Sequence, residues 1–203
     1  MKHIVFDFGG VVFNWRPPEL LRRVLPHRTR DAASVDALVE GFFEGYRGDW
    51  GRFDRGTIEI DELAPRIAAR TGLPLPEVHA VIDAVPDELQ PQRGTVDLMQ
   101  RLHANGHAIY FLSNMPALYA EHLERSHGFF DCFTDGVFSS RVKLIKPEPE
   151  IFELATRQFG IEPAQTVFID DLASNVEMAR SLGWNAVQFI DAAQCEAELL
   201  ALL

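Results

Sequence analysis

The chain has 203 residues, of which 47% are apolar and 24% are charged, which is typical of a globular protein with a real hydrophobic core. Its formal net charge is -11 and no stretch is dense in Lys or Arg, which argues against a nucleic acid or an anionic membrane as a partner. No apolar run is long enough for a membrane span, and two distant cysteines predict reduced thiols without a disulfide framework or zinc site. We therefore expect a cytoplasmic protein, either a monomer or a homodimer.

The first predicted strand is the mostly apolar stretch His3–Phe6, which is followed directly by Asp7. A short apolar run bounded by glycines is typical of a buried parallel strand. Gly9 and Gly10 allow the backbone to turn sharply and to approach a ligand closely. Because open α/β sheets bind their ligands at the carboxyl ends of the strands, Asp7 is a candidate site residue.

The segment that follows contains helical patterns and no convincing strand. Its predicted helices cover residues 19–25, 34–46, 58–71 and 76–85. Pro65 lies inside the third of them, where a proline can kink or split a helix. A run of this length is too large for an ordinary crossover, which usually holds one helix. We predict an α/β core formed by residues 1–15 and 91–203, with a helical cap inserted at residues 16–90 over the carboxyl ends of the strands.

Beyond residue 91 the pattern changes to strands that alternate with single helices. The predicted strands cover residues 107–112, 136–139, 166–169 and 185–189. The predicted helices cover residues 95–104, 116–126, 147–159, 175–182 and 192–202. This alternation predicts an α/β fold with a doubly wound, Rossmann-like parallel sheet.

Polar side chains follow three of these strands and precede one helix. They are Asp7, Ser113, Asn114, Asp170, Asp171 and, in the loop before a helix, Lys146. Because the carboxyl ends of parallel strands lie on one edge of a sheet, we expect these groups to converge. Carboxylate and backbone oxygens suit a hard divalent cation, whereas a hydroxyl, an amide and a lysine suit phosphate oxygens. A carboxylate placed against both a metal and a phosphoryl group can act as a nucleophile.

Each of these groups also has a purely structural interpretation. Ser113 and Asn114 could cap the next helix, and Asp170-Asp171 could form a turn at a strand end. Lys146 could be a solvated surface charge, and Lys143 competes with it for the same role. If each residue had only a structural role, several unrelated polar residues would lie at the same edge of the sheet by chance. A common binding site is the simpler explanation, because ligands bind at this edge.

The motif order DFGGV, FLSN, KPEPEIF and VFIDD resembles the haloacid dehalogenase (HAD) superfamily of aspartate-nucleophile hydrolases over nearly the whole chain. The helical segment after the first motif is similar to that of the superfamily's helical-cap branch. The resemblance implies a Mg²⁺-dependent phosphatase that acts on a small phosphorylated metabolite through an aspartyl-phosphate intermediate. The DxGGV form is similar to a branch that includes sugar-phosphate phosphatases such as α-D-glucose-1-phosphate phosphatase.

The resemblance also implies roles for the residues that match the motifs. Asp7 would be the nucleophile, and Lys146 would balance the charge of Asp7 and of the phosphate. Ser113 would hold the phosphoryl group that is transferred, and Asn114 would support that pocket.

A second set of matching positions implies the ligands of the metal ion. Asp7, the Gly9 carbonyl and Asp171 would bind Mg²⁺ directly, and Asp170 would bind it directly or through water. Asn175 matches the polar position that often follows the acidic pair.

The chain departs from the family pattern at Gly9. Phosphatases of the superfamily typically carry an aspartate at this position as the general acid and base, and glycine has no side chain to fill that role. General acid–base catalysis is worth about 10²–10⁴-fold in rate, so a substitute or a slower enzyme is implied. The candidate substitutes are Asp54 and Glu44 from the insert, and water, and the sequence does not choose among them.

Three other functions compete with the phosphatase. A 2-haloacid dehalogenase shares the fold and nucleophile, but it needs no metal, and Asp170-Asp171 would then place uncompensated negative charge beside Asp7. A binding or regulatory protein could keep the metal pocket and lack turnover because of Gly9. A receiver domain is weaker, because its phosphate-accepting aspartate follows its acidic pair in the chain.

The insert contains an aromatic stretch for which two interpretations stay open. It comprises Phe42, Phe43, Tyr46, Trp50 and Phe53. These side chains could form a small core of the insert. Alternatively, Trp50 or Tyr46 could face the active site and stack on a substrate ring.

Overall fold

The centre of the molecule is a sheet of five parallel strands, seen in a computed structural model that describes residues 2–203. The strands are β1 (His3–Phe6), β2 (Ala108–Ser113), β3 (Asp135–Phe138), β4 (Thr166–Asp170) and β5 (Asn185–Gln188). Their order is β3-β2-β1-β4-β5, so the chain winds outward from β1 in both directions. The predicted α/β class and the doubly wound sheet are confirmed.

Helices join the strands and form the insert between β1 and β2. The insert contains α1 (Pro17–Val24), α2 (Ala32–Phe43), α3 (Asp49–Asp54), α4 (Ile60–Thr71), α5 (Leu75–Asp83) and α6 (Val85–Glu88). The remaining helices are α7 (Arg93–Ala104), α8 (Ala117–Ser126), α9 (Ser139–Val142), α10 (Pro149–Phe159), α11 (Ala173–Ser181) and α12 (Ala192–Leu202). Short 3₁₀ turns cover Glu44–Tyr46, Gly128–Cys132 and Pro163–Gln165.

Several local features differ from the sequence prediction, and the four-residue helices α6 and α9 are among those not predicted. The helix predicted from residue 147 begins at Pro149, because Glu148 precedes a proline and takes an extended conformation. The helix predicted to continue to residue 46 ends at Phe43, because Glu44 adopts positive φ. The six-residue helix α3 is not predicted, and α4 continues through the exposed Pro65 without a break.

Alternate residues of the strands face two different apolar layers. Ile4 and Phe6 of β1 belong to the layer that includes buried side chains of α7 and α12. Val5 between them faces the opposite layer, which includes buried side chains of α10 and α11. Both faces of the sheet are therefore covered, which explains why its strands are apolar almost throughout.

The insert lies over the carboxyl ends of β2 and β3, where α3 contacts α9 and α6 contacts α8. The Tyr119 hydroxyl of α8 donates a hydrogen bond to the Ile82 carbonyl at 3.0 Å. The Ser139 hydroxyl of α9 donates to the Asp54 carbonyl at 2.5 Å. One apolar cluster continues from the sheet into the insert, and the division into a core and a cap at residues 16–90 stays a prediction.

The longest helices of residues 2–203 are α2, α4 and α7, with 12 residues each. None of them has the length and the apolar character that a transmembrane helix needs.

Substitution of Gly136 tests how tightly β3 packs on β2. A Cβ atom at Gly136 would lie 1.9 Å from Cε1 of the buried Phe111, so Gly136→Ala should lower the free energy of unfolding by about 1–3 kcal/mol. Urea denaturation measures this change. Gly128→Ala is the matched control, because no atom lies within 4 Å of its added Cβ. Equal stability of the two variants would contradict the packing described for this strand.

Candidate active site

A buried ammonium group between two carboxylates lies at the carboxyl edge of the sheet. Lys146 Nζ is 2.8 Å from Asp7 Oδ1 and 2.6 Å from Asp170 Oδ2. Burial lowers the pKa of Lys146, but the negative charges of Asp170 and Asp7 outweigh this effect and leave the pKa raised. Lys146 is therefore a fixed positive charge and not a solvated surface residue.

Asn114 holds the loop that carries this lysine. The Asn114 side chain donates a hydrogen bond to the Lys146 carbonyl at 3.0 Å and accepts one from the Lys146 N–H at 2.8 Å. Because Asn114 directly follows β2, this pair ties the lysine loop to the sheet. Neither Ser113 nor Asn114 caps the next helix, which begins after Pro116 without a side-chain cap.

Three groups bind the Asp170 carboxylate and fix its orientation. It is fully buried at the end of β4, and the Asn175 amide donates to both of its carboxylate oxygens at 3.0 Å. The Leu172 N–H donates to Asp170 Oδ1 at 2.9 Å, and Lys146 binds Oδ2. These hydrogen bonds explain why a polar residue stands at position 175. The neighbouring Asp171 lines the cavity.

Asp7, Asp170 and Asp171 form a cluster in which one carboxylate oxygen of each lies within 4.8 Å of the others. Burial raises the pKa of Asp7 to about 8, against the effect of Lys146 and with the added effect of the other two carboxylates. Burial and the charge of Asp170 raise the pKa of Asp171 to about 6. Three carboxylates around one ammonium leave an excess negative charge, which a divalent cation with oxygen ligands fits.

Two glycines bring the backbone close to this cluster. Among residues 2–203 no N–H group donates to the Gly9 carbonyl, which leaves that oxygen free for a cation. Gly10 has a φ of 78°, and a Cβ atom there would lie 2.5 Å from Asp171 Oδ2. Glycine at position 10 therefore serves both the turn and the close approach of Asp171.

The carboxylate cluster opens into a cavity of about 430 Å³ between the sheet edge and the insert. Six of the predicted site residues line it, namely Asp7, Gly9, Asn114, Lys146, Asp171 and Asn175. Ser113 and Asp170 are fully buried and do not belong to this lining. The Ser113 hydroxyl has no hydrogen-bond partner among the described residues, so a donor remains free one residue before Asn114.

The insert contributes aromatic and charged side chains to the same cavity. Trp50 packs on Phe43 at a ring-centroid distance of 4.6 Å and also lines the cavity, so it belongs to the core of the insert, and its stacking on a substrate ring stays a prediction. Tyr46 lines the cavity and accepts a hydrogen bond from the Trp15 indole at 2.9 Å. The sequence did not predict this contact, because Trp15 and Tyr46 belong to separate segments.

The two carboxylates that were proposed as substitutes for Gly9 have different environments. Glu44 is 2.9 Å from Arg70 and accepts a hydrogen bond from the Asp49 N–H at 2.7 Å, so it has a structural role in the insert. Asp54 is only 6% exposed and lines the cavity together with Asp7. Burial raises the pKa of Asp54 well above its ordinary value, and the charge of Asp7 adds to the shift.

Comparisons with known proteins identify the family of the chain. A model of the haloacid dehalogenase-like hydrolases matches residues 1–183. A sesquiterpene phosphatase of Aspergillus oryzae is 28% identical over this whole chain and 96% of its own length. A D-ribitol-5-phosphate phosphatase of Bacteroides thetaiotaomicron is 24% identical over this whole chain and 98% of its own length. The crystal structure of a HAD-family enzyme of Bacteroides thetaiotaomicron contains magnesium and inorganic phosphate and has the same fold, with a TM-score of 0.70. The two sequences are 24% identical, and the match covers 92% of this chain and 93% of that chain.

Substitution of Gly10 tests the carboxylate cluster as a cation site. Gly10→Ala should push Asp171 out of place and weaken Mg²⁺ binding by about 10–100-fold, the usual effect of disturbing the support of a metal ligand. Isothermal titration with Mg²⁺ measures the affinity. Gly72→Ala is the matched control, because Gly72 has a φ of 72° but no atom lies within 4 Å of its added Cβ. Unchanged Mg²⁺ affinity of Gly10→Ala would contradict the assignment of Asp171 as a ligand.

Proposed function

Since the chain belongs to the haloacid dehalogenase-like hydrolases, we propose that it is a Mg²⁺-dependent phosphatase of small phosphorylated metabolites. The observation that carries the proposal is the buried Lys146 ammonium between Asp7 and Asp170, next to a third carboxylate. With a divalent cation bound, such a cluster attracts a phosphate dianion to a position beside Asp7. Two relatives named as phosphatases and a neighbour that contains magnesium and phosphate support this proposal.

The carboxylate cluster also argues against a 2-haloacid dehalogenase. A nucleophilic Asp7 has to be ionised, but Asp170 and Asp171 disfavour its charged form and burial disfavours it further. Lys146 supplies one positive charge against the three carboxylates. A reaction without a metal would therefore leave the nucleophile poorly ionised, whereas a metal-dependent reaction would not.

In the proposed reaction Asp7 is the nucleophile. One of its oxygens attacks phosphorus while the bond from phosphorus to the leaving oxygen breaks, and water later hydrolyses the aspartyl phosphate. Lys146 holds Asp7 in place and offsets the charge of the phosphoryl group. Asn114 positions the lysine loop, and the Ser113 hydroxyl, which has no partner among the described residues, would bind a phosphoryl oxygen.

Magnesium would be held by a set of oxygen atoms on one side of Asp7. The ligands would be Asp7, the Gly9 carbonyl and Asp171, with Asp170 bound directly or through water. When bound, the ion would supply electrostatic stabilisation of the charge on the phosphoryl oxygens. Asn175 would act on this set by fixing the orientation of Asp170.

We further propose that residues 16–90 act as a cap that selects the substrate and excludes water. Much of the cavity wall beyond the carboxylates is apolar. It includes Trp15, Trp50, Val85, Leu89, Met115 and Ile145. Burial of apolar area against these side chains would favour a phosphate ester with an apolar organic group.

Several polar groups of the wall already have protein partners. The Tyr46 hydroxyl accepts from Trp15, and the Tyr119 hydroxyl donates to a backbone carbonyl. Arg55 and Glu148 pair with each other. A sugar phosphate needs a hydrogen bond for each buried hydroxyl, and Arg47, Ser174 and the O–H of Tyr46 still offer some to the cavity. The preference for an apolar ester over a sugar phosphate therefore rests on the apolar side chains of the wall.

The first test measures phosphate release from a panel of phosphorylated metabolites. We expect release by the native chain to require Mg²⁺, to stop with a chelator, and to fall by at least about 10³-fold in Asp7→Asn, since loss of a nucleophile removes the covalent step. Asp97→Asn, an exposed carboxylate of α7, is the control and should retain full activity. Binding of Mg²⁺ and phosphate without hydrolysis of any compound would favour the regulatory alternative instead.

The second test compares two five-carbon phosphate esters, dimethylallyl phosphate and D-ribitol 5-phosphate. We expect kcat/KM to be at least about tenfold higher for the isoprenoid ester, because one methylene group in an apolar pocket is worth about 1–3 kcal/mol. Steady-state kinetics at saturating Mg²⁺ measure the ratio. A preference for the polyol ester would contradict the apolar substrate class but not the phosphatase activity.

A further inference from the structure

The proposed phosphatase lacks a proton donor at its first motif, and the following inference rests on that proposed function. Gly9 lies in the wall of the cavity at the position where a side-chain acid would stand two residues after the nucleophile. An alkoxide leaving group without a proton is a poor one, so some other group has to supply the proton.

Asp54 is a buried carboxyl group that faces this gap from the insert. It is the last residue of α3, it is 6% exposed, and it lines the cavity together with Asp7 and Gly9. Among residues 2–203 no cation or hydrogen-bond donor is paired with its carboxyl group. A buried carboxyl without a partner is costly to a fold, and such groups concentrate at functional sites.

The backbone around Asp54 is fixed from two sides. The Ser139 hydroxyl donates to the Asp54 carbonyl at 2.5 Å, which joins α3 to α9. The next residue, Arg55, pairs with Glu148 immediately before α10. The backbone that carries the Asp54 side chain is therefore held at a defined place over the sheet edge, as the support of a proton donor requires.

The other carboxylates near the cavity have partners already. Glu44 pairs with Arg70, and Glu148 pairs with Arg55 and accepts from the Ile145 N–H. Asp171 belongs to the carboxylate cluster at the sheet edge. Asp54 is the remaining carboxyl group of the described cavity lining that has no assigned role.

We propose that the Asp54 carboxyl group is the general acid and base that replaces the side chain absent at Gly9. In the first step an Asp7 oxygen bonds to phosphorus, the bond from phosphorus to the leaving oxygen breaks, and that oxygen takes the proton of Asp54. In the second step water attacks phosphorus and gives a proton to the Asp54 carboxylate, while the bond from phosphorus to Asp7 breaks. The alcohol and inorganic phosphate leave, and Asp54 is protonated again.

The experiment measures how the rate depends on the leaving group. Asp54→Asn keeps the shape of the side chain and removes its acid function. We expect kcat/KM, which reports the steps up to loss of the leaving group, to fall about 10²–10⁴-fold for an alkyl phosphate, because the alkoxide needs a proton. We expect kcat/KM for p-nitrophenyl phosphate, whose phenolate leaves without one, to fall less than about tenfold. Asp36→Asn, an exposed carboxylate of α2, should change neither rate.

A second variant restores the acid at its usual place. The three atoms nearest to a Cβ atom at Gly9 all belong to Trp15, at ordinary contact distances of 3.7–3.9 Å, so position 9 accepts a Cβ atom without a clash. Gly9→Asp in the Asp54→Asn background should recover at least about tenfold of the lost kcat/KM for the alkyl phosphate. An equal loss of kcat/KM for both substrates, or no loss for either, would overturn the proposal for Asp54.

Gly9→Asp in the otherwise native chain covers the case in which Asp54→Asn does not fold, as judged by its thermal unfolding. If Asp54 already supplies the proton, this variant should speed alkyl phosphate hydrolysis by less than about tenfold. A gain of about 10²–10⁴-fold would mean that the native chain has no acid and would overturn the assignment. A native chain that hydrolyses neither substrate would instead overturn the proposed function on which the inference rests.

Discussion

The candidate site depends on a single buried positive charge. Lys146 lies between Asp7 and Asp170 with no exposed side-chain surface, and removing an ion from water costs several kcal/mol unless close partners offset it. Loss of the lysine would leave uncompensated carboxylates, and loss of either carboxylate would remove part of what keeps the lysine charged. The surrounding hydrogen bonds follow from this constraint, since Asn114 fixes the loop of the lysine and Asn175 fixes Asp170. Asn114 follows β2 and Asn175 lies in α11, so the lysine and Asp170 are supported by different elements of the fold.

The charge of the cluster links the fold to the proposed chemistry. One edge of a parallel sheet brings Asp7 and the acidic pair together although they are far apart in the chain. Burial, together with the negative charge that Lys146 does not offset, raises the pKa of Asp7 to about 8 and that of Asp171 to about 6. A bound cation would offset this charge. The donor atoms of the chain suit any divalent cation that prefers oxygen ligands.

The sequence predicted the parts of the molecule that follow local rules. Each end of the five strands was placed within one residue, because their central residues are apolar and buried. The convergence of Asp7 and Asp170 was predicted because both follow parallel strands that end at one edge. Lys146 was predicted to join them, and the hydrogen bonds of Asn114 to its loop hold it there. The helix α3 was not predicted, since six residues are too few for a helical period to be recognised. The choice between Asp54 and Glu44 depends on tertiary contacts, such as that of Glu44 with Arg70, which no local pattern contains.

The inferred role of Asp54 changes what the insert does in the proposed reaction. An acid at position 9 would belong to the same loop as the nucleophile, and its position would not depend on the insert. An acid on α3 reaches the leaving oxygen only when the insert lies over the sheet edge, where Ser139 holds the Asp54 carbonyl. Proton transfer would then require the same closed arrangement that excludes water and contacts the organic group of the substrate. A substrate that fits the apolar wall badly would lose rate as well as affinity, so the absence of a side chain at Gly9 couples substrate recognition to catalysis.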